Sequence, residues 1–388
     1  LPFCFFPFSS TYSSGIIMPT FGDESSRGFF LRDGGYYFAL SDYIDLAVTG
    51  EIYTKGSWGL AAKSGYKKRY KYSGSFDASY LVTKTGDKDL PDYSLSKDFQ
   101  LRWSHTQDPK ANPYLSFSAS VNFSTSSYDR NNQNSYYAQS GSYAAVNQNT
   151  KSSSINITKR FPNNPFTISA NMSINQIARD SSIAVTLPNM TITMSRIFPF
   201  KRKHAVGKER WYEKIAMSYS GTLSNSITTK ENKLFKSNLV KDWRNAMQHS
   251  IPVSATFQLF KYINISPSFN YKERWYTNKV EQAYDPQRQA VVARDTTYGF
   301  YRVYDYSGSI SASTTLYGFF KPLPFLGKKV EMIRHRMEPS VSLSAAPDFA
   351  SNRFGFYQTF VYQDANGEDH EYTYSPFAQN MYGVPSKG

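Results

Sequence analysis

The chain has 388 residues, of which 17% are aromatic, with 31 Tyr and 29 Phe against one Cys. No stretch reaches the roughly 18 consecutive apolar residues of a membrane helix, and a single thiol excludes an internal disulfide and a multi-cysteine metal site. The formal charge of +14, from 44 Lys and Arg against 30 Asp and Glu, favours an anionic partner, but the basic residues show no basic helix, zinc-finger spacing or RNA-binding aromatic signature, so nucleic acid is the weaker reading.

In chain order, the first run is apolar and carries Pro2, Cys4 and Pro7, followed by Ser14, Gly15 and Pro19. Proline has no amide hydrogen and is confined to strand edges and weak seams. From Ile44 the dominant signal is period-two alternation, the mark of a half-buried strand. Ile44, Leu46, Val48, Gly50 and Ile52 share one face, and the pattern resumes after a Lys55-Gly56 turn with Trp58, Leu60 and Ala62. It continues through Tyr70 to Val82, Phe99 to Trp103, Leu115 to Phe123, Ile168 to Ile174, Ile183 to Leu187, and Ile215 to Tyr219. Ile251 to Leu259 and Ile263 to Phe269 flank a tight turn at Lys261-Tyr262, and Tyr304 to Leu316 ends the series.

These are about fifteen to seventeen segments, each near the roughly 9–11 residues that cross a bilayer at a tilt. The pattern predicts an all-β, transmembrane, antiparallel up-and-down barrel. Polar connections at 126–149, 224–248 and 277–301 read as long loops at one end, with short turns at the other. Within the second of these, Lys233 to Gln248 reads as a short helix with Leu234, Leu239, Trp243 and Met247 on one side. A basic stretch, Lys201 to Arg210, falls on the short-turn side.

Lys63, Lys67, Lys71 and Arg102 fall on or near the polar phase of their strands, and Tyr66, Tyr70, Tyr72 and Tyr80 suit an interfacial aromatic girdle. Five histidines, at 105, 204, 249, 335 and 370, stand outside any nucleophile-elbow or zinc-protease motif. Glu368-Asp369 reads as a pair of loop charges. The sequence therefore predicts no catalytic residue, metal site or cofactor.

Taken together, Pro2 and Pro7 in the first strand and Ser14-Gly15 with Pro19 in the second resemble the opening of the LptD (OstA) barrel family. Gly35-Tyr36-Tyr37-Phe38 before Asp45, and the pattern Arg334, His335, Pro339 followed by Pro347-Asp348-Phe349, resemble later family elements, in the style of its Bacteroidetes branch. The resemblance implies an outer-membrane translocon that inserts lipopolysaccharide into the outer leaflet through a lumen and a lateral gate. On this reading Pro2, Pro7 and Pro19 weaken the gate seam, while Ser14, Gly15, Arg334, His335 and Pro339 are structural. The implied partners are lipopolysaccharide, a plug lipoprotein, periplasmic bridge proteins and outer-membrane lipids. Family barrels have about 26 strands, so residues 1–388 are expected to form one barrel segment without the periplasmic jelly-roll and the closing strands. The competing readings are a general porin or nutrient receptor, which the proline-bearing first strands disfavour, and a lipid-hydrolase barrel, which lacks a motif.

Overall fold

The computed structural model describes residues 13–86, 88, 91–131, 150–204, 207–321, 332–363 and 367–387. Pro2, Cys4 and Pro7 lie outside the described residues. Among the described residues, twenty-one strands account for the regular structure, and helix is limited to single turns, α1 (Tyr128–Asn131), α2 (Glu231–Leu234) and a 3-10 turn (Trp211–Lys214). The all-β antiparallel class expected from the alternation is therefore what the chain adopts. Four of the strands form two separate hairpins; the other seventeen match the upper end of the expected number.

The chain divides into two compact units. The first contains Leu1–Arg160, Ser169–Asn189 and Ser226–Asn238. Its strands are β1 (Gly15–Ile17), β2 (Thr20–Glu24), β3 (Gly28–Ser41), β4 (Ile44–Tyr53), β5 (Trp58–Lys68), β6 (Tyr72–Thr85), β7 (Ser94–Gln107), β8 (Leu115–Ser124) and β9 (Thr150–Arg160). From β3 to β9 each strand pairs antiparallel with the next. Because side chains alternate along a strand, register sorts them into rows across the sheet. One row is Ala47, Lys63, Asp77, Arg102 and Asn122; an adjacent row, on the opposite face, is Val48, Ala62, Ala78, Leu101 and Phe123. One face is thus hydroxyl, amide and charge, and the other apolar. Three further strands, β10 (Phe166–Ile177), β11 (Ser182–Ile197) and β12 (Ala216–Lys230), each have residues in both units.

The second unit contains Phe161–Ile168, Met190–Asn225 and Leu239–Gly388. Here β13 (Arg244–Ser254) and β14 (Phe257–Leu259) both pair with β15 (Ile263–Asp285), which pairs with β16 (Ala290–Thr314), and β16 pairs with β19 (Ser340–Ala345). Strands β17 (Leu316–Phe320) and β18 (Ile333–Met337) form one hairpin, β20 (Gln358–Gln363) and β21 (Asp369–Tyr374) another. The expected turn between β14 and β15 is present, with Phe260 and Lys261 at φ 50° and 66° and Tyr262 N–H donating to the Leu259 carbonyl.

Two expectations are corrected. Residues 277–301 are not a long loop: β15 and β16, of 23 and 25 residues, run through them as one hairpin closed by the turn at 286–289. The β-branched and aromatic residues there, Val280, Tyr284, Val291, Val292, Thr296, Thr297 and Tyr298, suit a strand, and their polar neighbours disguised it. Nor is Lys233–Gln248 a helix. Only α2 is helical, and β13 starts at Arg244, because Met247, His249, Ile251 and Val253 repeat at period two. Of the expected loop at 126–149, residues 132–149 lie outside the described residues.

Candidate lipid-facing surface and first-strand seam

The apolar face of the first unit is exposed over its length. Ile52, Trp58, Leu60, Tyr80, Phe99 and Ile157 are each between 39% and 60% accessible, a distribution that in water would leave a large uncovered apolar patch. Aromatic rings border it at both ends. At one end Trp58 lies 5.8 Å from Tyr80. At the other, Tyr66 reaches over Gly74, its hydroxyl 2.9 Å from His105 Nδ1, while Trp103 Nε1 donates to the same hydroxyl at 2.8 Å. Of the expected girdle, Tyr66, Tyr72 and Tyr80 take these positions; Tyr70 sits in the turn at φ 60°.

The second unit repeats the arrangement. On β15 the apolar stripe runs Ile263, Ile265, Pro267, Phe269, Tyr271 and stops at Glu273. In register on β16 it runs from Thr314 through Ala312 and Ile310 to Tyr306 and Tyr304 and stops at Arg302. Both stripes cover about the 9–11 residues that cross a bilayer. At their common limit Arg302 and Glu273 pair at 2.6 Å, Trp275 Nε1 donates to Glu273 at 2.6 Å, and the Tyr219 hydroxyl lies 2.8 Å from His249 Nδ1. Groups that combine a ring with a polar tip belong at a membrane–water boundary.

The opposite face of the second unit carries Ser268 and Ser309, 2.7 Å apart, and the Arg274–Asp305 pair at 2.6 Å. Part of it is covered by the segment from Phe349 to Val384, whose Phe356 and Phe349 also pack edge-on against Tyr304 and Tyr306 at the end of the β16 stripe. Phe349, Phe356 and Phe377 join Tyr276 and Val303 in a buried cluster, and the Tyr276 hydroxyl donates to the Gly383 carbonyl at 2.6 Å. Sequence reasoning missed this cover, although the density of Phe and Tyr in 349–382 was the available signal.

The candidate seam, the pairing of the Pro19-interrupted strand with β3, lies at the start of the first unit. β1 and β2 pair with β3 in one register, Gly15 opposite Tyr37 and Thr20 opposite Arg32, so they are a single strand interrupted at Met18-Pro19. Opposite the interruption, Asp33 has φ 60° and the β3–β4 register slips by one residue between Leu31 and Gly34, a bulge that re-aims the strand. Two glycines make room for it. A Cβ on Gly34 would stand 2.7 Å from Pro19 Cβ, and one on Gly35 only 1.9 Å from the Val48 carbonyl oxygen. Ser14 ends the ladder, its hydroxyl accepting the Ala39 N–H at 2.9 Å where a carbonyl would otherwise do so. Asp45 pins the next strands by accepting Gly65 N–H at 2.6 Å and the Tyr37 hydroxyl at 3.2 Å.

The structure therefore brings Ser14, Gly15 and Pro19 into one local element. In the second unit, Arg334 and His335 are exposed on β18, opposite Phe319 and Gly318, and the Pro339 carbonyl accepts the Thr314 N–H at 3.2 Å. The basic stretch 201–210 is partly folded around an acid. Glu213 accepts Arg202 Nε at 2.6 Å and Arg210 N–H at 2.7 Å, and the Arg202 hydrogen bonds, aided by the Arg210 amide, hold its carboxyl down to about 2. A second acid went unrecognised in the sequence: fully buried Asp98 accepts from Ser96, Thr125 and Asn131 at 2.8, 2.9 and 2.6 Å and from Ser127, fixing the segment that leads out of β8. No group of metal-ligating side chains occurs among the described residues.

Antiparallel strands with one uncovered apolar face, one polar face and aromatic borders define a membrane-spanning β protein. The sequence matches the model of the LptD protein family over residues 1–388, and the chain belongs to that family. The family is one of outer-membrane β-barrels that serve lipopolysaccharide transport and assembly, not a family of enzymes. A comparison with curated proteins gave no match.

Proposed function

We propose that this chain forms part of an outer-membrane translocon that inserts lipopolysaccharide into the outer leaflet, with its N-terminal strands as one side of a lateral gate. The observation that carries the gate is the interrupted second strand, β1–β2. Its ladder to β3 is short on both sides of Pro19 and ends on a side chain at Ser14. Each absent backbone bond removes about 0.5–1.5 kcal/mol from a seam, so this pairing opens more easily than a continuous one. Acyl chains then leave sideways into the membrane while the sugar passes along the polar face. The seam's other side, a plug lipoprotein in the lumen and a periplasmic bridge belong to this reading as expectations from the family.

The test is surface lipopolysaccharide in cells depleted of the full-length protein and rescued with a plasmid copy. Loss on depletion and return on rescue supports the reading. Unchanged surface lipid with reduced uptake of a small solute identifies a porin or receptor instead. Replacing Pro7 by Thr in the rescuing copy is expected to slow export, and an unchanged export rate removes the gate from the proposal.

A further inference from the structure

The β17–β18 hairpin continues the β16–β19 ladder without a change of register. Ser313 stands opposite Ser340, and Leu316 opposite Met337, the break between them falling at Pro339, which has no N–H to give. The outward stripe of β16, with Ile310 and Ala312, therefore runs on into Leu316, Gly318 and Phe320, and that of β19, with Leu343 and Val341, into Met337, His335 and Ile333. From Tyr304 to Thr314 the stripe already covers a bilayer crossing of about 9–11 residues. Leu316 to Phe320 and Ile333 to Met337 thus project beyond it, on the side of the short β14–β15 turn.

A two-stranded ribbon is marginal in water by itself, and this one exposes large side chains on both faces. Leu316, Phe320, Ile333 and Met337 are 43–56% accessible on one face, Tyr317 and Phe319 52% and 62% on the other. The second face also carries Arg334, 5.5 Å from the Tyr317 ring centre, and Arg336, paired with Glu338. The Phe320 ring leans back over Gly318, where a Cβ would meet it at 2.9 Å, so it points along the ribbon toward the lipid-facing stripe.

We propose that this ribbon lies on the phospholipid leaflet at the short-turn side. Its aliphatic face, Leu316, Phe320, Ile333 and Met337, enters the acyl boundary, and Arg334 and Arg336 reach anionic phosphates. The occupant is lipid because the aliphatic face is the same face, in the same register, as the membrane-facing stripe, and because the exposed charges of β18 itself are cationic, as interfacial segments that bind anionic lipid are. The break at Pro339 supplies the bend that lets a projecting ribbon turn onto the leaflet. This rests on the membrane reading above.

The experiment uses the full-length protein, with Cys4 replaced by Ser, reconstituted in phosphatidylethanolamine–phosphatidylglycerol vesicles. A fluorophore is placed through Phe320→Cys, Met337→Cys or, as the reference, Ile310→Cys. Quenching by bromolipid at Phe320 and Met337, with iodide quenching several-fold below that at an Asp285→Cys site, is expected. It is expected to weaken when Arg334→Glu and Arg336→Glu are added, while Ile310 stays unchanged. Bromolipid quenching at Ile310 with iodide access at Phe320 overturns the proposal, as does shielding of Phe320 from both quenchers, which marks a protein partner. Absence of lipid quenching at Ile310 instead refutes the membrane reading itself.

Discussion

The β1–β2 strand and the β15–β16 hairpin are built on the same antiparallel ladder but end in opposite states. β15 and β16 stay in register from Ile263 opposite Thr314 to Asp285 opposite Ala290, with two local shifts, and are backed by the cluster around Tyr276 and Val303. β1 and β2 together cover Gly15 to Glu24, lose the ladder at Met18-Pro19, and press on a bulge in β3. Neither difference needs a change of fold. A proline, a residue at positive φ and two glycines convert a continuous pair into a weak one, whereas a packed aromatic cover makes the other pair longer than any membrane requires.

The largest effect is expected where cover and ladder meet. Tyr276 is 1% accessible, stacks on Phe377 with ring centres 6.0 Å apart, and bonds to Gly383. Tyr276→Ala is expected to cost about 3–5 kcal/mol, as for other buried aromatic truncations, and Tyr276→Phe about 1 kcal/mol for the lost hydrogen bond. Urea unfolding in lipid vesicles measures both. Equal losses for the two variants would show that the hydroxyl, not the packing, holds the cover.

Next comes the tight side of the seam. Gly35→Val places a side chain where the Val48 carbonyl already stands, and neither strand can yield without breaking pairs on its other edge. A destabilisation of about 1–3 kcal/mol is expected, the usual cost of overpacking, and hydrogen exchange is expected to rise in β3 and β4 while β15 and β16 stay protected. Uniform loss of protection would mean that the seam is not a local element.

How much of this was legible in the sequence follows from the range of each interaction. Strand faces were readable, since Val48, Ala62, Leu101 and Phe123 announce themselves by alternation alone. Pro19 was readable as a weak point in a strand, and Ser14 and Gly15 as structural positions beside it. The bulge opposite them was not, because Asp33 takes φ 60° only under the geometry of two neighbouring strands. The extension of β15 and β16 through 277–301 was hidden, because outside the apolar band both faces become polar and the period-two contrast fades. The contacts of Asp98 were invisible for another reason: its partners Thr125 and Asn131 lie far along the chain, and a lone acid in a strand reads as a solvated charge.

A smaller effect, of opposite sign, is expected at Pro19. Pro19→Thr supplies the N–H that the break lacks and a β-branched side chain that suits a strand. A stabilisation of about 0.5–1 kcal/mol is expected for one restored bond, with slower exchange in β1 and β2. On the gate reading, surface lipopolysaccharide appears more slowly in cells rescued with this variant. Stabilisation without any change in export would leave Pro19 a folding feature of its strand and nothing more.

The mildest expected change concerns pH and tests whether the short-turn side has ordered structure of its own. Glu213 titrates at about 2 in the folded protein because Arg202 and the Arg210 amide stabilise its charged form, against about 4.3 for an unperturbed glutamate. A depressed folded value contributes stability that is fully present above the unfolded value and is lost as pH falls toward the folded one. Order in the segment from Lys201 to Lys214 is therefore expected to be constant above about pH 5 and to decline progressively below it, as read by fluorescence of Trp211, with the other four tryptophans replaced by Phe. Glu213→Gln removes the charge that Arg202 clasps, so its Trp211 signal is expected to be altered already at neutral pH and flat through the acidic range. A parallel acid decline in both proteins would assign the transition to carboxylates elsewhere and leave the loop without a fold of its own.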